Sequence, residues 1–279
     1  MPLLFVNRLT VIDFSYLHSR RGLVGESWQV DVSLHGGLDE QGMVLDFGDV
    51  KKSVKRLIDE QFDHKLLVPA AYRDLTHKTL GEQMQLVFQT EDGSLIQHGS
   101  PSDAVTLVDC EEVTPQTLAD AIINALAPLM PHNVAGIDIR LWPEATEGAF
   151  YHYSHGLKQH CGNCQRIAHG HRSRLHIERN GRRDQALENA WAEAWRDIYI
   201  GTREDVLEET DGQLLFSYRS EQGNFVLQLP ASRCYLIDTD STVENIAQHI
   251  ADTLKHRHPQ DSFRVIAFEG VDKGAIGES

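Results

Sequence analysis

One order of patterns runs through this 279-residue chain twice, and that repeat limits the fold more than any single motif. In the first half, Leu9 to Phe14 and Trp28 to Leu34 alternate apolar and polar residues as paired strands do, and Gly36-Gly37 breaks the second. Val50, Val54, Leu57 and Ile58 recur at helical spacing through Asp49 to Gln61. Met84 to Gln97 reads as a hairpin turning at Asp92-Gly93, and Pro115 suits the first turn of a helix over Thr114 to Ala127. Val134 to Trp142 closes the half as a strand. The second half follows with strands at Ala149–Ser154 and Arg172–Ile177, then a helix around Asp184–Ile198. A hairpin at Leu214–Leu229 turns near Gln222-Gly223, and a final strand covers Phe263–Glu269. Before that strand, Ser241-Thr242-Val243-Glu244 has capping-box spacing and opens a helix to about Lys255. No low-complexity linker intervenes, so the expected boundary lies at Thr146–Gly148, dividing the chain into residues 1–147 and 148–279. Each unit is expected to be a mostly antiparallel α+β structure.

The bulk numbers narrow the function. A hydrophobic content of 41% beside 24% charged residues is ordinary for a soluble globular protein. No apolar run approaches the roughly 18 residues that span a bilayer, and the opening MPLLFVNRLTVIDF does not read as a signal peptide. Four cysteines are too few for a disulfide scaffold, so cytosolic thiols and a cytoplasmic location are expected. A net charge of −15 argues against nucleic-acid or anionic-membrane partners. Locally the balance inverts. Between Lys158 and Arg183, Lys158, Arg166, Arg172, Arg174, Arg179, Arg182 and Arg183 face one acid, Glu178. That stretch is either a solvated basic face or a receiver for an anionic substrate such as a triphosphate.

Chemistry concentrates in His155 to His171, HGLKQHCGNCQRIAHGH. His169-Gly170-His171 leads into an alternating strand, and residues two apart on a strand share a face, so both imidazoles can address one ion. His155 ends another strand-like run and can supply a third nitrogen. Three protein ligands with an open fourth position describe a catalytic zinc site. Cys164 would then be a thiol beside a cation, an environment that favours the thiolate. A closed structural site of Cys161, Cys164, His169 and His171 is the alternative, since CxxC followed by nearby histidines is also zinc spacing.

The run Tyr151-His152-Tyr153-Ser154-His155, then Cys164, then His169-Gly170-His171, resembles the 6-pyruvoyltetrahydropterin synthase family, which includes 6-carboxytetrahydropterin synthase. His152 and Tyr153 depart from the small residues usual there. The resemblance implies two tandem T-fold units, antiparallel sheets with helices on one face that assemble into a barrel. In the first half, Phe14-Ser15-Tyr16-Leu17-His18 is similar to the first zinc-His motif, and Gly42 to Phe47 to the segment before the helix. Phe62-Asp63-His64-Lys65-Leu66-Leu67 is similar to the motif with the catalytic Asp-His pair. Yet Gly25-Glu26-Ser27 stands where HGH is expected, and no cysteine precedes it. The second half lacks the Asp-His pair, reading Trp195-Arg196-Asp197-Ile198, but has Thr242 to Ala247 and Phe268-Glu269, whose Glu269 resembles the pterin anchor. The first half reads Gln116 and Pro143-Glu144 at the corresponding places. Between them the halves hold one complete set.

The implied activity is that of a zinc-dependent lyase acting on 7,8-dihydroneopterin triphosphate. Triphosphate is eliminated, and carbon–carbon cleavage releases acetaldehyde to give 6-carboxytetrahydropterin, a precursor of deazapurines such as queuosine. Formation of 6-pyruvoyltetrahydropterin, and a non-catalytic zinc- or pterin-binding regulatory protein, are the alternatives. The implied roles are metal binding for His155, His169 and His171, proton abstraction for Cys164, and acid–base work for His64 oriented by Asp63. Glu269 would anchor the pterin, with Glu244 as a second candidate or a capping-box partner, and Arg166 and Lys158 would receive the triphosphate. Because T-fold units pair edge to edge, a homodimer or a dimer of dimers is expected.

Overall fold

The computed structural model describes residues 1–279. The first unit runs β1 (Leu3–His18), β2 (Gly22–Gly36), α1 (Phe47–Gln61), β3 (Leu66–Pro69), β4 (Leu75–Leu80), β5 (Gln83–Gln89), β6 (Leu95–Pro101), β7 (Val105–Val108), α2 (Pro115–Leu126) and β8 (Val134–Pro143). The second runs β9 (Phe150–His155), β10 (His169–Arg179), β11 (Arg182–Arg183), α3 (Gln185–Ala194), β12 (Ile198–Thr202), β13 (Val206–Thr210), β14 (Gln213–Ser220), β15 (Gly223–Pro230), β16 (Cys234–Ile237), α4 (Val243–Arg257), β17 (Phe263–Phe268) and β18 (Gly274–Glu278).

Each unit has its own sheet and its own core. The first sheet is ordered β7-β3-β1-β2-β8 and the second β16-β12-β9-β10-β17-β18. Both are antiparallel through their long hairpins, with β3 and β7, and β12 and β16, running parallel at one side. α1 and α2 lay Val50, Val54, Leu57, Leu118 and Ile122 over the first sheet, while α3 and α4 lay Trp191, Ile246 and Ile250 over the second. A third sheet, β13-β14-β15-β6-β5-β4, takes three strands from each unit and joins them where β15 pairs antiparallel with β6. Its apolar face forms a shared core of Leu86, Phe88, Ile96, Phe216, Phe225 and Leu227.

The two long hairpins also meet directly. Ser15 Oγ lies 2.7 Å from Ser154 Oγ, and the strand partners of those serines, Gly25 and Gly170, press together. A Cβ on Gly25 would stand 1.8 Å from the Tyr153 carbonyl oxygen, and one on Gly170 would stand 2.6 Å from the Gly25 α-carbon. Only glycine permits this approach. The contact superposes the units as Ser15 on Ser154 and Gly25 on Gly170. That register corrects the alignment drawn from sequence by two residues on the first strand and one on the second. The counterpart of His155 is Tyr16 rather than His18, and HGH corresponds to Val24-Gly25-Glu26 rather than Gly25-Glu26-Ser27. On the same register Pro143, not Glu144, stands where Glu269 is. His18 lies at the end of the β1–β2 hairpin, where its Nδ1 accepts from the Arg20 and Arg21 amides.

Three local expectations also change. The helix read to Ile198 stops at Ala194, because Asp197 takes a left-handed φ of 53° and the chain turns into β12. Trp191, Trp195 and Ile198 had the spacing of a helical face, but Ile198 belongs to a strand. The α4 cap is Thr242, which accepts from Asn245 N at 3.3 Å, so Ser241 and Glu244 do not form a capping box. β18, rich in glycine, follows the strand expected to be last.

Candidate active site

β9 and β10 place three imidazoles around one point. His169 is the cross-strand partner of His155, and His171 lies two residues further along the same face. Their ligand atoms lie within 4.8 Å of one another, and all three residues are buried. His155 Nδ1 donates to the Ser241 carbonyl at 2.9 Å, and His169 Nδ1 donates to the Arg166 carbonyl at 2.9 Å. Those bonds leave the Nε2 lone pairs free, and the Nε2 atoms of all three residues are buried without a partner. Burial, reinforced by the neighbouring imidazoles, holds His155 and His169 well below the usual histidine pKa. Three convergent Nε2 atoms, two of them on neutral imidazoles whose Nδ1 is fixed by a backbone carbonyl, fit a metal ion of the zinc type. Neither Cys161 nor Cys164 belongs to this group, which sets aside the four-ligand structural site.

The Asp63–His64 pair comes from the first unit of the same chain. Asp63 and His64 follow α1, and a left-handed φ of 53° at His64 turns the chain into β3. His64 Nδ1 lies 2.6 Å from Asp63 Oδ2, and the His64 ring sits 5.4 Å from His169 and 6.3 Å from His171, centroid to centroid. The Cys164 thiol faces the same imidazole. Burial opposes the charged form of His64, but the hydrogen bond it donates to Asp63, with the neighbouring Cys164 sulfur, outweighs it and raises the pKa to about 10. Glu269, at the end of β17, brings Oε1 to 3.9 Å from His171 Nε2. The three histidines, the Cys164 thiol, the Asp63–His64 pair and the Glu269 carboxylate thus converge within one chain.

Three other expected residues lie differently. Arg166 is buried and bonded to Asp103 at 2.5 Å, Gln222 at 3.0 Å and the His64 carbonyl at 3.3 Å. Lys158 is held by Glu204 and by Asp205 at 2.7 Å. Both cations already pair with carboxylates, so neither is a free receiver for a triphosphate. Glu244 is exposed on the first turn of α4.

Two residues were not singled out from the sequence. Asp13, on β1, is 4% exposed and approaches His171 Nδ1 at 3.3 Å, while Lys273, after β17, sits 2.9 Å from its other oxygen. Burial would raise the Asp13 carboxyl, but His171 and Lys273 hold it far below the usual carboxylate range. The only signal was an acid in the otherwise apolar run Val11-Ile12-Asp13-Phe14.

The corresponding position of the first unit, on the register that sets Ser15 against Ser154 and Gly25 against Gly170, holds no second histidine triad. Tyr16, Val24 and Glu26 replace the histidines, and Asp197 stands where His64 does, with the same φ of 53°. The Arg21 guanidinium fills the gap, bonding both Asp197 oxygens at 2.6 and 3.0 Å and the Tyr16 hydroxyl at 3.0 Å. Glu26 is buried there and its pKa rises to about 7, chiefly through burial.

Comparison with known proteins agrees with both units. The family model described as 6-pyruvoyl tetrahydropterin synthase matches twice, over residues 13–154 and 146–275. A protein of Pyrococcus horikoshii named "Putative 6-carboxy-5,6,7,8-tetrahydropterin synthase" is 26% identical over 133 residues, covering 48% of this chain and 76% of the relative. A protein of the same name from Methanocaldococcus jannaschii is 26% identical over 140 residues, 48% of this chain and 82% of the relative. The crystal structure of 6-pyruvoyl tetrahydropterin synthase from Plasmodium vivax aligns with a TM-score of 0.43 at 17% identity, over 52% of this chain and 93% of that one. With both units matched in succession, the chain belongs to the 6-pyruvoyl tetrahydropterin synthase family, as a tandem pair of its domains.

Proposed function

We propose that the protein is a zinc-dependent lyase that converts 7,8-dihydroneopterin triphosphate to 6-carboxytetrahydropterin, with loss of triphosphate and acetaldehyde and uptake of water. The observation that carries this reading is the convergence of His155, His169 and His171 with Cys164 and the Asp63–His64 pair. The names of the Pyrococcus and Methanocaldococcus relatives favour the carboxy over the pyruvoyl product. His155, His169 and His171 would hold the zinc, which when bound would supply Lewis acidity toward the side-chain hydroxyls of the substrate. Cys164, as thiolate, takes the proton from the side-chain carbon. His64 returns and removes protons at the neighbouring oxygen, with Asp63 fixing its Nδ1. Glu269 accepts hydrogen bonds from the pterin N–H groups.

The test is to incubate zinc-loaded protein with dihydroneopterin triphosphate and identify products by mass, with a separate assay for acetaldehyde. 6-Carboxytetrahydropterin with acetaldehyde supports the proposal, and 6-pyruvoyltetrahydropterin alone corrects the product. Binding of the pterin without turnover would leave a regulatory protein.

Association of copies belongs to the same proposal. The outer strands of the third sheet are exposed edges, β4 with His77 and Lys78 and β13 with Glu208 and Glu209. Pairing β4 of one copy with β13 of another, twice over, gives a closed homodimer. An active monomer in light scattering would refute it.

A further inference from the structure

We propose that Asp13 is a positioning residue that couples the metal-binding histidines of the second unit to the acid–base pair of the first. The inference rests on the reading of His155, His169 and His171 as a metal site. Asp13 reaches four parts of the active site through different atoms. Its Oδ1 is 3.3 Å from His171 Nδ1 and accepts from Ser27 Oγ at 2.5 Å. Its Oδ2 is 2.9 Å from Lys273 Nζ, in the loop that follows Glu269. Its amide donates to Asp63 Oδ1 at 2.9 Å, and its carbonyl accepts from the His64 amide at 2.7 Å.

His155 and His169 have their Nδ1 atoms fixed by carbonyls of their own unit. His171 has no such bond, and the group facing its Nδ1 is the Asp13 carboxylate from the other unit. A carboxylate at the second nitrogen of a ligating imidazole fixes ring orientation and tautomer and raises ligand basicity. The correspondence between the two units supplies a comparison. The counterpart of Asp13 is His152, and the counterpart of His171 is Glu26, so the partners trade places. His152 Nδ1 donates to the Gly25 carbonyl at 2.9 Å and lies 3.6 Å from Glu26 Oε2. An imidazole and a carboxylate of opposite units thus lie near each other at both positions, but only His171 belongs to the histidine triad, and only its Nδ1 is left by backbone carbonyls to the carboxylate.

A consequence is that metal affinity depends on a residue outside the second unit. The experiment measures zinc affinity by chelator competition for the wild-type chain, Asp13→Asn and Asp13→Ala, with the cobalt(II) ligand-field spectrum as a second readout. Unfolding of each metal-free variant is followed in parallel. The expected loss is about 10–100-fold for Asp13→Ala, the range for such outer partners, with Asp13→Asn in between because its amide oxygen still accepts from Nδ1. The cobalt spectrum should change in both variants. Wild-type affinity in a folded Asp13→Ala chain would overturn the coupling while leaving the metal site intact. If Asp13→Ala fails to fold, Asp13→Asn decides alone, and unchanged affinity and spectrum there would also overturn it. A wild-type chain that binds no metal would defeat the underlying site, and this inference with it.

Discussion

Gly25→Ala probes the contact that brings the two half-sites together. The added methyl would lie 1.8 Å from the Tyr153 carbonyl oxygen, 2.5 Å from its carbon and 2.7 Å from the His171 amide nitrogen. All three atoms are backbone, so no side-chain rotation relieves the clash and the hairpins must separate. Overpacking a core costs about 1–3 kcal/mol, and an immovable neighbour puts this substitution at the upper end, ~3 kcal/mol. At about 2 °C or more per kcal/mol for a chain of this size, the melting temperature should fall by ~6 °C or more. Because β9 and β10 must shift away from β1 and β2, turnover should fall as well. Gly37→Ala is the control, since a Cβ there meets nothing within 4 Å. Thermal and urea unfolding of the three chains give the comparison. A Gly25→Ala protein within 1 kcal/mol of wild type, with unchanged turnover, would refute the packing argument.

Cys164→Ala should keep its zinc and lose turnover, whereas metal loss in that variant, read by elemental analysis, would return the cysteine to the ligand set. Removing zinc with a chelator should lower the melting temperature of the wild type, since a ligand at 100 times its Kd stabilises by about 2.7 kcal/mol, and should leave a His169→Ala, His171→Ala chain unmoved. Glu26→Gln carries a pH signature. The pKa of Glu26 is raised on folding, so its contribution to stability is full below the unfolded value and is lost as pH climbs through about 7. The amide should therefore flatten the stability profile over that window and leave the variant more stable above it, by an amount on the order of 3 kcal/mol. Urea midpoints at pH 5 and pH 8 check the sign.

The order of elements was legible because amphipathic periodicity survives in one sequence, and the HGH triplet was legible because strand geometry forces alternate residues onto one face. What escaped has specific causes. Tyr16 and Val24 no longer look like metal ligands, so the resemblance of Phe14…His18 to Tyr151…His155 drew the alignment out of register. The contact of Gly25 with Gly170 restores it, and nothing local announces that contact. The roles of Arg166 and Lys158 depend on Asp103, Glu204 and Asp205, distant carboxylates that charge counting along the chain does not place. Asp13 was missed because its meaning lies in the partner it meets across the units. The short parallel strands β3, β7, β12 and β16 are four or five residues long, too short to show a period.

The central claim is that each chain builds one complete site from its own two units. Co-expressing a His64→Ala chain with a Cys164→Ala chain tests it, with mixed oligomers isolated through two different affinity tags. A site completed within the chain predicts no recovery of turnover, because every site in the mixture lacks either its acid–base imidazole or its thiol. Mixed oligomers that regain turnover, while each variant alone stays inactive, would show that the first unit of one copy serves the second unit of another and would contradict the account.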